Sequence, residues 1–185
     1  MSKLETNTID TVSGTTNLTI GSTNSSTVTF ENGAVTGHNY PALIVALTTD
    51  QTGGADSTDV KVNFNSVELD TDSGWDSTNY KYVVPKAGRY VIASNVLVLS
   101  ANGINSLTQA HLKIDLNGTK ERTSIVDLRS SNMYRFGITI NTILNLSVND
   151  EVSIFGRGDV TSSTVTFDTS STDERVFFYM YRIGA

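Results

Sequence analysis

Residues 80–99 read Tyr-Lys-Tyr-Val-Val-Pro-Lys-Ala-Gly-Arg-Tyr-Val-Ile-Ala-Ser-Asn-Val-Leu-Val-Leu, and no other stretch restricts the fold so sharply. Two β-rich runs flank the turn residues Pro85-Lys86-Ala87-Gly88, and the second run places apolar residues on both of its faces. β-branched and aromatic residues at this density favour strand, and a strand apolar on both faces has to be covered on both. The segment therefore predicts a buried strand pair inside stacked sheets, with the turn setting the register between the two runs.

Composition carries the same message. Thr, Ser, Asn and Val dominate, and helix formers never gather into a long amphipathic run, so the 185 residues predict an all-β chain. The net charge of −6 is thinly spread and the 13 Lys and Arg form no dense cluster, so no nucleic-acid partner is expected. The N-terminus lacks the apolar core of a signal peptide, and the longest unbroken apolar run, residues 42–47, is far too short to cross a bilayer, so neither secretion by that route nor membrane insertion is expected. The absence of cysteine removes disulfides, thiolate catalysis and cysteine-based zinc sites together.

The chain divides at about residue 40. Residues 1–39 contain 15 Ser or Thr and only scattered apolar residues, too few to close a core alone. Yet Asn17-Leu18-Thr19-Ile20-Gly21 and Ser26-Thr27-Val28-Thr29-Phe30-Glu31-Asn32-Gly33 both alternate and both end at a turn residue. They read as short strands that order against other chains; a disordered polar tail is the competing reading. From Tyr40 onward, β patterns follow one another with turn signals at the spacing of a sandwich. Residues 42–47 form a continuous apolar strand ahead of a Gly53-Gly54-Ala55-Asp56 loop, and residues 60–64 alternate. Asn117-Gly118 is a strong hairpin signal, followed by a Ser- and Arg-rich surface loop to about Met133. Phe136, Ile138, Ile140, Leu144 and Leu146 then share one parity, and a last hairpin joins residues 164–167 to residues 176–181.

The final strand has two apolar faces: Val176, Phe178 and Met180 on one, Phe177, Tyr179 and Tyr181 on the other. One face is assigned to the sandwich core and the other to neighbouring subunits, because soluble monomers seldom expose such a row. Phe177, Tyr179 and Tyr181 are thus the candidate subunit interface; cover by the chain's own loops is the alternative.

Other constellations point to less. Asp70, Asp72, Gly74 and Asp76 begin like a calcium loop, but Lys81 stands where the bidentate glutamate would be, so a solvated acidic loop is expected. Arg157-Gly158-Asp159 spells an adhesion triplet and is assigned to a turn after Phe155. His38 and His111 stand alone, with no partner at metal or triad spacing in the linear sequence. The chain shows no catalytic pair, cofactor motif or metal set, and no enzyme is expected. Trp75, Tyr80, Tyr82 and Tyr134 are the aromatics that a loop could offer to a sugar, with Trp75, Tyr80 and Tyr134 as candidate contacts and residues 122–133 beside them; core packing is the competing use.

Residues 80–92 resemble the segment of the complement-type globular head in which an aromatic strand leads through Pro-x-x-Gly-x-Tyr into a long apolar strand. The order around it is similar too: an apolar opening strand, Leu-Lys-Ile-x-Leu-Asn-Gly at residues 112–118, Ile-Leu-Asn-Leu-Ser-Val-Asn-Asp-Glu-Val at residues 143–152, and an aromatic closing strand. Asn149 replaces that family's usual glycine. The resemblance, over residues 40–185, implies a jelly-roll β-sandwich like that of tumour necrosis factor, which associates as a homotrimer. Residues 1–39 resemble the β-prism and attachment segments of bacteriophage fibres. Together these imply a homotrimeric structural component of a virion, a tail or head fibre or spike. Its N-terminal arm would dock onto other virion proteins, and its head would face outward. A host receptor- or glycan-binding module is the alternative.

Overall fold

The computed structural model describes residues 40–101, 103–169 and 176–184. The expected N-terminal arm, with His38, lies outside the described residues. Within them the chain forms thirteen strands and no helix. In chain order they are β1 (Ala42–Leu47), β2 (Gln51–Gly54), β3 (Val60–Lys61), β4 (Ser66–Asp70), β5 (Trp75–Asp76), β6 (Lys81–Val83) and β7 (Gly88–Ser100). Then come β8 (Leu107–Leu116), β9 (Thr119–Asp127), β10 (Arg135–Leu146), β11 (Glu151–Val160), β12 (Val165–Phe167) and β13 (Val176–Gly184). All pairings are antiparallel, in a seven-stranded sheet ordered β2-β12-β7-β13-β1-β4 with β10 also on β7, and a six-stranded sheet ordered β5-β6-β11-β8-β9 with β3 also on β11. This is the β-sandwich that the residues predict, with the jelly-roll form that the resemblance implies.

Strand parity builds the core. Leu43, Val45 and Leu47 of β1, Val176, Phe178 and Met180 of β13, and Ile138, Ile140, Leu144 and Leu146 of β10 are buried from the larger sheet. Leu112, Ile114, Val152 and Ile154 meet them from the smaller one. Phe178 sits between Phe64 and Trp75, with ring centroids 5.9 and 6.1 Å away. In β7 both faces are covered toward the C-terminal end, where Val96, Leu97, Val98 and Leu99 are all buried.

Five expectations require correction. First, the runs flanking Pro85 are not partners: β6 pairs with β5 and β11 in the smaller sheet, whereas β7 belongs to the larger. The Pro85-Lys86-Ala87-Gly88 turn carries the chain across the sandwich, and Tyr90 fastens it by donating its buried hydroxyl to the Lys86 carbonyl at 2.6 Å. Second, β12 and β13 form no hairpin; Val98 pairs with both Phe136 and Phe167 while Ala93 pairs with both Asn141 and Tyr179, so β12 and β13 follow one another along the same edge of β7.

Third, the stretch expected as a loop after Gly118 contains the edge strand β9. Its side chains carry no apolar alternation, and its pairing with β8 is imposed by the Asn117-Gly118 turn, whose φ values of 53° and 82° suit a two-residue hairpin. Charged edge strands of this kind also resist edge-to-edge association. Fourth, Gly53-Gly54 is not free loop: β2 pairs with β12, Gly54 opposite Val165.

Fifth, Arg157-Gly158-Asp159 lies within β11 opposite His111, Ala110 and Gln109, not in a turn. Glycines 156 and 158 occupy its inward parity because Phe167 and Val165 press against them: a Cβ on Gly156 would come within 2.5 Å of the Phe167 ring, and one on Gly158 within 2.9 Å of Val165. Arg157 and Asp159 project together outward, and the guanidinium donates to both carboxylate oxygens at 2.6 and 2.9 Å.

Candidate functional site

The sandwich consumes one parity of β13 and leaves the other outside. Phe177, Tyr179 and Tyr181 form a ladder on the outer face of the larger sheet, with centroid separations of 5.8 and 6.3 Å and interplanar angles of 18° and 16°. Stacking near the two-residue repeat of a strand follows from the period-two geometry, which returns a side chain to the same face every second residue. Phe177 and Tyr179 are half-buried and Tyr181 is 44% exposed.

The register extends each rung across the sheet. Tyr179 lies between Ile44 and Ala93, with Leu69 and Asn141 beyond them. Tyr181 lies between Ala42 and Val91, with Ile143 beyond. Phe177 lies between Ala46 and Asn95, with Ser66 and Thr139 beyond. None of these side chains is charged. Shallow grooves run on both sides of the ladder, one bounded by Ile44, Leu69, Tyr179 and Tyr181, the other by Ala93, Asn141, Phe177 and Tyr179.

Sequence reasoning named the ladder but missed the flanking Ile44, Leu69 and Ile143, of which Ile143 is 57% exposed. Ile143 was legible, since it breaks the polar parity of β10. Ile44 was not, because an unbroken apolar run conceals which parity faces out.

The aromatics proposed as ligand contacts do not converge. Trp75 is half-buried with its ring 6.5 Å from Phe64, and Tyr82 is fully buried beside it in register. Tyr80, at φ 50°, ends the β5–β6 connection in the smaller sheet. Tyr134 is 38% exposed at the other end of the sandwich, where its carbonyl accepts the Ser100 amide. The acidic loop is likewise self-satisfied: Asp70 accepts the amides of Gly74 and Trp75 at 3.1 and 2.9 Å, Asp72 pairs with Lys86 at 3.0 Å, and Asp76 accepts from Thr78 and Asn79. Among the described residues no three acidic or histidine side chains are placed to hold a metal ion.

His111 is buried on β8, with Nε2 3.2 Å from Gln109 Oε1 and 4.0 Å from Asp159 Oδ2. Burial holds its pKa below the usual 6.5, against the pull of the Asp159 carboxylate and with the help of Arg157 and Lys113. A group that is harder to protonate folded than unfolded stabilises the fold above its unfolded pKa, and that contribution is lost as pH falls below about 6.5. The urea midpoint is therefore expected to drop between about pH 8 and about pH 5.5, and to drop less in His111→Gln. An equal drop in both proteins would show that His111 is not the responsible group.

No family model matches the sequence, and no curated protein matches it. Solved structures do share its fold. The globular domain of zebrafish complement 1qA protein aligns with a TM-score of 0.53 at 14% identity, over 77% of this chain and 97% of that one. Murine APRIL, solved at pH 5.0, aligns with a TM-score of 0.56 at 12% identity, over 78% of this chain and 99% of that one. At these identities the likeness concerns the fold, a jelly roll of the complement and tumour necrosis factor type.

Proposed function

We propose that this chain is a non-enzymatic, homotrimeric structural protein, a fibre or spike of a bacteriophage virion that displays a jelly-roll head. The observation that carries the association is the set of uncharged rungs at the centre of the larger sheet's outer face, with the stacked Phe177, Tyr179 and Tyr181. A second copy of the chain is its occupant. Ala42, at the start of β1, pairs with Tyr181 at one end of the ladder, so the aromatic row begins where the first strand of the head does. Closed cyclic symmetry among copies would bury all of their ladders around one axis. The virion setting is supported by the resemblance of Leu-Thr-Ile-Gly and Val-Thr-Phe-x-x-Gly in residues 1–39 to fibre shaft and attachment segments.

Light scattering on the eluting full-length protein is expected to give about three times the 20.0 kDa chain mass. Tyr179→Asp is expected to elute at the monomer mass with an unchanged far-ultraviolet spectrum, since a carboxylate desolvated among Ile44, Ala93 and neighbouring rings costs several times a typical contact. A stable wild-type monomer would overturn the proposal.

A further inference from the structure

The outer face of the smaller sheet carries a different chemistry. Most of its cations have a carboxylate of their own: Arg157 pairs with Asp159, Arg129 with Asp127, Arg122 with Glu121 and Lys81 with Glu151. Around Phe155 this balance fails. Lys113, only 9% exposed, and Lys120 share the single carboxylate of Asp59, and the Lys61 ammonium has the Asn79 carbonyl at 3.0 Å. Lys61 and Lys120 also lie 5.6 and 5.2 Å from the centroid of the half-buried Phe155 ring. Three ammonium groups thus gather around one aromatic ring with only the Asp59 carboxylate in ion-pair contact, since Asp115, opposite Lys120 in register, accepts the Gly118 amide. Like charges gathered this closely repel, and an added anion removes that cost.

We propose that Lys61, Lys120 and Phe155 bind the carboxylate-bearing ring of an acidic saccharide, with the ion pair between the buried Lys113 and the half-buried Asp59 holding the site in place. Lys61 and Lys120 supply charge-assisted hydrogen bonds to the carboxylate, and Phe155 supplies an apolar edge for the sugar's C–H groups. An acidic peptide fits less well, because β11 is already paired on both edges here, with Lys61 on one side of Phe155 and Lys113 on the other, and offers no free backbone edge. The cluster is also too small to track a phosphate backbone. The site lies on the opposite sheet from the aromatic ladder, so it stands or falls independently of trimer formation. It would give the glycan-binding alternative a location other than Trp75, Tyr80 and Tyr134.

Calorimetric titration of the full-length protein at low ionic strength, with tetragalacturonate as probe, is expected to show saturable binding that neutral maltotetraose lacks. Lys61→Ala and Lys120→Ala should each weaken it about tenfold or more, while Lys86→Ala, which removes the partner of Asp72 elsewhere, should leave it unchanged. Phe155→Leu should weaken tetragalacturonate but leave inorganic sulfate unaffected, which separates a saccharide site from a bare anion site. Absence of saturable binding, equal binding by the lysine variants in their folded state, or equal loss in Lys86→Ala would overturn the proposal. So would a Phe155→Leu variant that binds tetragalacturonate as wild type does.

Discussion

Phe178→Ala is expected to destabilise the head by about 3–5 kcal/mol, the range for deleting a fully buried aromatic ring. Phe178 is wholly inaccessible and its ring contacts both Phe64 and Trp75, so truncation leaves a cavity between two aromatic side chains as well as losing the transfer energy of the ring. β13 lies between β1 and β7 and pairs with both, which limits how far the backbone can relax into the space. With total stabilities of about 5–15 kcal/mol for ordinary domains, such a loss removes a large share of the whole. The adjacent Phe177→Ala provides the contrast, because Phe177 faces outward and its cost should fall on association. Both are best measured by urea unfolding in the Tyr179→Asp background, where assembly does not contribute. A loss below about 1 kcal/mol for Phe178→Ala would contradict the assigned parity of β13.

The second large effect is expected at Gly88, where the chain passes between the sheets. Its φ of 151° is one that other residues rarely adopt, and a Cβ there would lie 2.3 Å from the Gly184 carbonyl oxygen and 2.5 Å from Arg182 Nε. The oxygen is backbone, and Arg182 is itself held by donating Nε to the Ala87 carbonyl at 2.8 Å, so neither neighbour moves freely. Gly88→Ala should cost about 2–4 kcal/mol from backbone strain and overpacking. For a domain of this size that corresponds to a fall in thermal midpoint of about 5–15 °C. Gly137→Ala is the control: nothing lies within 4 Å of its Cβ position and the change should be within about 0.5 kcal/mol of neutral. Similar midpoints for the two variants would mean that the turn tolerates movement of the Gly184 end of β13.

Much of this architecture is legible in local sequence. The two faces of β13, the one-sided apolar parity of β10 and the Asn117-Gly118 turn all appear where their patterns place them, because alternation and turn chemistry are short-range properties. The same reasoning mistook β9 for a loop, since an edge strand whose residues are mostly polar is defined by its partner's backbone and leaves no periodicity to read. It also read Arg157-Gly158-Asp159 as a turn, because the reason for a glycine there is the Val165 side chain seven residues further on, packed from the other sheet.

For the candidate sites the division is similar. Sequence named Phe177, Tyr179 and Tyr181, but only strand order showed that Ile44, Leu69 and Ile143 extend those rungs across four neighbouring strands. The cluster at Phe155 was not legible at all: Asp59, Lys61, Lys113 and Lys120 come from separate elements, and only the pairing of β3 and β8 to β11 and of β9 to β8 assembles them.

By itself, then, the sequence determined the all-β character of the described residues from Tyr40 onward and the two-faced closing strand, because period-two alternation and turn residues act locally, while the jelly-roll order was implied by the resemblance to the complement-type head. Tertiary structure decided that the Pro85-Lys86-Ala87-Gly88 turn bridges two sheets instead of closing a hairpin, and which side chains share an outer face. Those outcomes depend on hydrogen-bond partners distant in the chain, and the choice among partners is made by burial of the whole sandwich.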